Sequence, residues 1–368
     1  MQQSTFLYIF ASLKVFFIFM NYSTINFNNR INWIDWAKAI AISLVIFGHI
    51  PQITGSAMVC YITQFQIPLF FFISGYLTKK EYTSIQTLKK FYYSLIIPYL
   101  CYNFIFYPYW IVRYLIKTPN PYWYDFIKPI IGTFMLQHSS PYFESMNGVT
   151  WFIPSLIIMK LILSLTNHFR LGKYYLFLMV LCTSVFYCFN EYERYIIDLP
   201  FVGFIRCFPF FVLGYFCRQI KILPENTNKK KDIFFAIACT SVSMLLFHFY
   251  HPTDILSYAI FFWCINLTAG IGVISFCRLL NNHMNHIIQN ISIGTLVFLG
   301  LHWMLIGVTN FLLENRLKIS DGNGYPWYIA ITLMILFEAI LYPLIVLFLQ
   351  RYPFLIGKKA EIKKGQLR

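Results

Sequence analysis

The stretch RINWIDWAKAIAISLVIFGH, from Arg30 to His49, reads as a transmembrane helix with charge where lipid does not tolerate it. At ~100° per residue, Asp35, Lys38 and His49 fall within one stripe about 60° wide, so one face of this helix cannot look at lipid. Asp35 and Lys38 stand near its start, where an i,i+3 ion pair at headgroup level is one reading and the wall of an active site is the other. His49 lies ~21 Å further along the axis than Asp35, past the midplane. It is either a satisfied structural histidine or a group that works in a polar cavity.

Composition sets the class. Of 368 residues, 58% are hydrophobic and 12% charged, against ~25% charged in soluble domains. The apolar surplus must face lipid, and the chain is expected to be an all-α, multi-pass helical bundle. A criterion of ~20 apolar residues per span gives roughly ten of them: 36–54, 57–77, 92–116, 150–166, 174–190, 200–217, 232–250, 255–279, 292–313 and 326–350. The net charge of +15 comes in short clusters between these spans, which suits membrane lipids and leaves no nucleic-acid footprint. Lys79, Lys80, Lys89, Lys90, Arg170, Lys173, Arg218, Lys221, Lys229, Lys230, Lys231 and the basic tail 351–368 occupy alternate connections. The opposite ones hold few basic residues, such as Lys128, Arg194, Arg316 and Lys318. The positive-inside rule then puts both termini in the cytoplasm of a cell-membrane protein. The nine cysteines lack a Cys-x-x-Cys pair and mostly fall within apolar runs, as packing residues; no metal site is indicated. Segment 1–29 holds a short apolar run interrupted by Lys14, and Met20 is an alternative start.

Lys38, ten residues and then His49, preceded by Asp35, resembles the signature of the membrane-bound acyltransferase-3 family, which includes polysaccharide O-acetyltransferases and fucose 4-O-acetylase-like proteins. Further blocks resemble the family in order: FQIPLFFFISGYL from Phe65 to Leu77, LIIPY from Leu95 to Tyr99, WFIPSL from Trp151 to Leu156, Arg206 with FFVLG from Phe210 to Gly214, and Ser292 leading to His302. They cover residues 30–350. The resemblance implies an acetyl donor, acetyl-CoA as cosubstrate with no tightly bound cofactor, and a glycan or lipid-linked sugar as acceptor. Two departures stand out: Gln66 where the family often has histidine, and Ser94 where it tends to have arginine.

Chemistry narrows the roles. A thioester is already activated, whereas an acceptor hydroxyl needs a base within hydrogen-bond reach, and histidine suits that task. His49 is therefore the expected base, with Asp35 as an orienting group and His302 as the other histidine in contention. Lys38, Lys89, Lys90 and Arg206 are expected to bind the donor, and Gln66 and Trp151 the acceptor. Lys160, Arg206 and Glu338 each lie inside an apolar span, so Glu338 is expected to pair with one of the two cations. The long connection from Lys117 to Thr150, rich in aromatics and carrying His138, Glu144 and Asn147, is either an acceptor platform or an interfacial aromatic belt. A transporter or lipid-linked sugar flippase is the competing class; it would show matching interrupted spans in two halves, and none is visible. There is no Gly-rich phosphate loop, His-Glu-x-x-His or Gly-x-Ser-x-Gly, so ATPase and hydrolase readings lack a motif.

Overall fold

The computed structural model describes residues 30–52, 56–79, 85–136, 145–192, 202–223, 228–251, 253–315 and 324–358. The possible start at Met20, and the loop residues Lys80, His138, Glu144, Arg194, Arg316 and Lys318, lie outside them. Ten long helices follow the expected spans: α1 Asn32–His49, α2 Ala57–Leu77, α3 Ile85–Lys117, α5 Gly148–His168, α6 Lys173–Tyr192, α7 Val202–Gln219, α8 Lys229–His248, α9 Ile255–Leu279, α11 Thr295–Asn315 and α12 Trp327–Arg351. Two short helices, α4 Lys128–Phe134 and α10 His286–Ile293, complete the set. Eight of the long helices are long and apolar enough to cross a membrane. The other two are α1, which carries Asp35 and Lys38, and α7, which carries Arg206 and Arg218.

Helix α1 is the hub. It packs against α2, α9, α10, α11 and α12, and its apolar residues are buried on nearly every side, from Trp33 to Phe47. A helix apolar all round belongs in a core rather than on a surface. Its first turn is tied down by Asn281, whose side-chain oxygen accepts from the Trp33 amide at 3.1 Å and whose carbonyl accepts from Asn32 at 3.0 Å. This satisfies one of the donors that a helix start leaves open.

Prolines shape several of the other helices, and at Pro68 the structure supplies a partner for the carbonyl it releases. Pro68 has no N–H to give to the carbonyl of Gln64 one turn earlier. Arg206 of α7 donates to that carbonyl at 3.0 Å and to Thr63 O at 3.3 Å, so the cation in the middle of one helix repairs the proline break in another. Nearby, a Cβ on Gly75 would collide with the carbonyl of Phe211 and one on Gly214 with the carbonyl of Phe72, which lets the α2 and α7 backbones touch. Pro98 likewise releases the Ser94 carbonyl, after a π-helical turn at Tyr92–Ile96. Gly357 sits against that carbonyl at a φ of 72°, where a side chain would be both strained and obstructed.

One expected contact is not made, and one of the two readings of Asp35 and Lys38 falls. Among the described residues Glu338 joins no ion pair, and its Oε1 has no hydrogen-bond partner; the side chain that faces it is Ser43. Its expected cations lie elsewhere, Arg206 on the α2 backbone and Lys160 near the Phe91 ring, because helix packing, which the sequence does not display, decides which faces meet. Nor does Lys38 pair with Asp35. Among the described residues, the ion pair with both side chains buried is Arg278–Asp232 at 2.9 Å, which clamps α9 to α8.

Candidate functional site

The polar stripe of α1 has two ends, and different neighbours complete each. At the Asp35 end, Arg30 reaches both carboxylate oxygens of Asp35, with Nε to Oδ2 at 2.8 Å, and the hydroxyl of Ser292 donates to Oδ1. Lys38 donates its ammonium to the Ser292 carbonyl. Ser292 sits on α10, eight residues that end at the turn before α11, and this turn brings both of its oxygens onto α1. Lys358, next to Gly357, is close enough to Arg30 and Lys38 for the three cations to repel one another. Three positive charges thus face one carboxylate, and the balance at this end is positive.

At the other end, His49 and His302 bring α1 and α11 together, with ring centroids 5.1 Å apart. His49 Nδ1 lies 2.8 Å from the Val45 carbonyl, and His302 Nδ1 lies 2.6 Å from that of Phe298. A carbonyl can only accept, so each ring carries its proton on Nδ1 and presents Nε2 as the acceptor. His302 is fully buried, and its Nε2 has no hydrogen-bond partner among the described residues. His49 is half-buried and opens onto two cavities. One, of about 600 Å³, is lined by His49, Trp110, Arg113, Trp151 and Trp303 among others. The second, of about 570 Å³, lies between α3 and α11 and shares His49, Arg113, Lys117 and Trp303 with the first. The Trp303 ring stands edge-on to His49 with centroids 5.4 Å apart.

The wall of the larger cavity is held by a buried polar network. Asn103 of α3 donates to Thr150 Oγ1 at 3.0 Å and accepts the Asn147 amide at 3.0 Å, while the Asn147 side chain donates to the Gly300 carbonyl at 2.8 Å. Thr133 of α4 joins it, its carbonyl accepting from Tyr99 Oη at 2.8 Å. Asn147 Oδ1 alone is left without a hydrogen-bond partner among the described residues, and a network of this kind fixes a backbone firmly, because each broken bond would leave a further buried polar group unpaired. Segment 145–151 is therefore docked on α3 and α11, two residues from His302 in sequence at Gly300, and it delivers Trp151 to the cavity.

The expected site residues thus separate into three groups. His49, His302 and Trp151 meet at one end; Gln66 is buried beside them, its amide next to Gly48. Asp35 and Lys38 meet at the other. Lys89 and Lys90 are exposed in the first turns of α3, the helix whose Ser94 carbonyl touches Gly357, and so lie on the Asp35 side. Arg206 lines neither cavity. Sequence reasoning missed Arg113, Arg30 and Lys358 as site residues, and took Lys117 for the start of a loop.

Between the two ends, Ile42, Val45, Thr295, Leu296 and Leu299 close α1 against α11, leaving a void of about 30 Å³. The arrangement offers a proton acceptor at one end, a cluster of cations at the other and a closed apolar contact between. No curated protein and no solved structure matches the chain. The family model described as an acyltransferase domain, acyltransferase-3, matches residues 31–349, a span that takes in both ends of the stripe. The chain belongs to the acyltransferase-3 family and is a membrane acyltransferase.

Proposed function

We propose that the protein is an O-acyltransferase that moves an acetyl group from acetyl-CoA to a hydroxyl of a glycan, with His49 as general base. The observation that carries this reading is the hydrogen bond from His49 Nδ1 to Val45 O, which assigns the proton to Nδ1 and points the basic nitrogen away from the helix where two cavities meet. The acceptor hydroxyl gives its proton to Nε2 as its oxygen attacks the thioester carbonyl. The C–S bond breaks, and the departing thiolate takes the proton back from the imidazolium. Direct transfer of this kind uses no covalent enzyme intermediate. His302 is a positioning residue that holds the His49 ring from the α11 side.

The basic clusters support an orientation with the Asp35 end and both termini in the cytoplasm of the cell membrane. The donor phosphates are then drawn to Lys38, Arg30 and Lys358, with Lys89 and Lys90 at the same end, and the thioester arm runs along α1 to His49 once α1 and α11 part around the small void. Arg206 is engaged by the α2 backbone and serves the scaffold in this scheme. Gln66 and Trp151 border the acceptor. Membranes containing the protein should transfer labelled acetyl from acetyl-CoA to glycan, and those with His49→Gln at equal protein level should not; label transfer that survives the substitution overturns the assignment. Orientation has its own test. A single cysteine at Lys230 in a cysteine-free variant should resist an impermeant thiol reagent in intact cells, and its labelling there reverses the scheme.

A further inference from the structure

Helices α2, α7 and α9 enclose a groove of about 240 Å³ that shares no lining residue with the two cavities at His49. Leu213 of α7 and Ile271 of α9 line it and are 37% and 45% exposed, so the groove opens sideways into lipid. Asn266 and Ser275, polar members of its α9 wall, stand nine residues or ~13 Å apart along the axis. Asn266 is the anomaly. It is 3% exposed, lies in the middle of a membrane-spanning helix, and spends its Nδ2 on the Phe262 carbonyl at 2.7 Å. What is left is the acceptor Oδ1, which has no hydrogen-bond partner among the described residues. A hydrocarbon chain cannot supply a donor, and an unpaired carbonyl at this depth is costly. Gly270, one turn further along, gives the same signal in steric form. Glycine weakens a helix interior relative to alanine, and here a Cβ would meet nothing within 4 Å, whereas at Gly272 it would strike Thr240 of α8. One turn of α9 thus presents an unfilled acceptor and a bare backbone to the same groove.

We infer that this groove binds an uncharged lipid alcohol, whose hydroxyl donates to Asn266 Oδ1 and whose hydrocarbon lies over Gly270 toward Ser275. The site is independent of the reaction at His49. Its lining decides the chemistry of the occupant. No charged side chain is among the described residues that form it, which disfavours an ionised headgroup. With Nδ2 engaged, the Asn266 amide asks for a donor and not for a ketone or ester oxygen. A helix of a second copy does not enter, because a helix with its side chains is ~10 Å across.

The test places the full chain in nanodiscs of phosphatidylcholine and phosphatidylglycerol and offers dodecanol and dodecyl methyl ether at equal mole fraction in the membrane. Ligands retained on the released protein are counted by native mass spectrometry. The ether has the same chain and an oxygen but no donor. Wild type should retain the alcohol at least ~10-fold over the ether, a difference of about 1.4 kcal/mol. Asn266→Leu, which keeps a side chain of similar size in the span, should hold the two alike, and Gly270→Ile should fill the groove and hold neither. Equal retention of alcohol and ether by wild type, or retention of neither, overturns the inference whether or not the variants accumulate. A preference that survives Asn266→Leu, or alcohol binding unmoved by Gly270→Ile, does the same. So does a phospholipid held in place of the alcohol, which would assign the groove to an acyl chain, or a dimer that Gly270→Ile disperses, which would assign it to a second copy.

Discussion

At the Asp35 end of α1 the polar groups are turned on one another: Arg30 and Ser292 close on the carboxylate, and Lys38 is held by a carbonyl. At the His49 end two imidazoles each use one nitrogen on their own helix and keep the other as an acceptor, beside chambers wide enough for a ligand. The same stripe thus ends in a knot and in an opening. In lipid an unpaired polar group is costly, so a polar stripe is retained either because its members satisfy one another or because a cavity needs them. Both solutions occur here, ~21 Å apart on one helix. Substitutions at the two ends should fail differently.

The largest effect is expected at the open end. His49→Gln keeps size and polarity but removes the base, and losing a positioned base costs ~10²–10⁴-fold in rate. Protein level and thermal stability in detergent should stay near wild type, since the ring is half-buried and glutamine keeps a polar side chain of similar size there. If turnover stays within a fewfold of wild type, the base lies elsewhere and the contrast between the ends loses its chemical meaning.

The knot should answer in stability instead. Asp35→Asn removes the charge that gathers Arg30 and Ser292, and buried charge-assisted hydrogen bonds are worth about 1–3 kcal/mol. The fall in apparent Tm should shrink when Arg30→Gln is already present, because the pair shares one interaction. Additive losses would show that Arg30 and Asp35 act apart.

How much of this was legible in the sequence follows the same division. The ten helices, their all-α class and the alignment of Asp35, Lys38 and His49 are consequences of composition and of 3.6-residue periodicity, which are local. Which partner each charge finds is not local. Arg206 and Pro68 are both visible in the sequence, but the rescue of the Gln64 carbonyl depends on α7 lying against α2. Glu338 was matched to cations on the logic of cost, and the packing turned its face to Ser43. Arg113 and Lys117 escaped notice because exposed cations near the end of a span look like interfacial anchors. Their meaning comes from the cavities behind them. The spacing of Tyr102 and Tyr109 against that of Gly300 and Gly307, seven in each case, was a readable hint that α3 and α11 pack in register.

Lys38 lies between the two behaviours, since it belongs to the knot and yet faces the mouth where the donor is expected. Lys38→Arg should preserve more transfer than Lys38→Ala, and the difference should appear in the KM for acetyl-CoA, by several-fold, rather than in protein level. Equal losses with normal accumulation would mean that the ammonium is needed for its fit to the Ser292 carbonyl and would place Lys38 wholly within the knot.

The smallest effect tests how firmly the chamber at the His49 end is walled. Outside the spans, Asp125 accepts at Oδ2 from Tyr114 of α3, which lines the larger cavity, at 2.8 Å, and at Oδ1 from Lys128 at 2.9 Å. Lys128 first, and Tyr114 second, hold the Asp125 carboxyl below the usual carboxylate range. A depressed carboxylate contributes order that is present above its ordinary pKa of ~3.9 and is lost as the pH falls through the folded value. Hydrogen exchange at the Trp123–Phe126 amides should therefore be protected near pH 5 and should lose part of that protection toward pH 3, after correction for intrinsic rates. In Asp125→Asn the protection should be lower and indifferent to pH over this window. The site lies at the edge of the bundle and is partly exposed, so the change should stay local and leave the Asn103–Asn147 network protected; if that network loosens together with Asp125, the wall is a single cooperative unit and the opening is less independent of its rim than the two ends of α1 suggest.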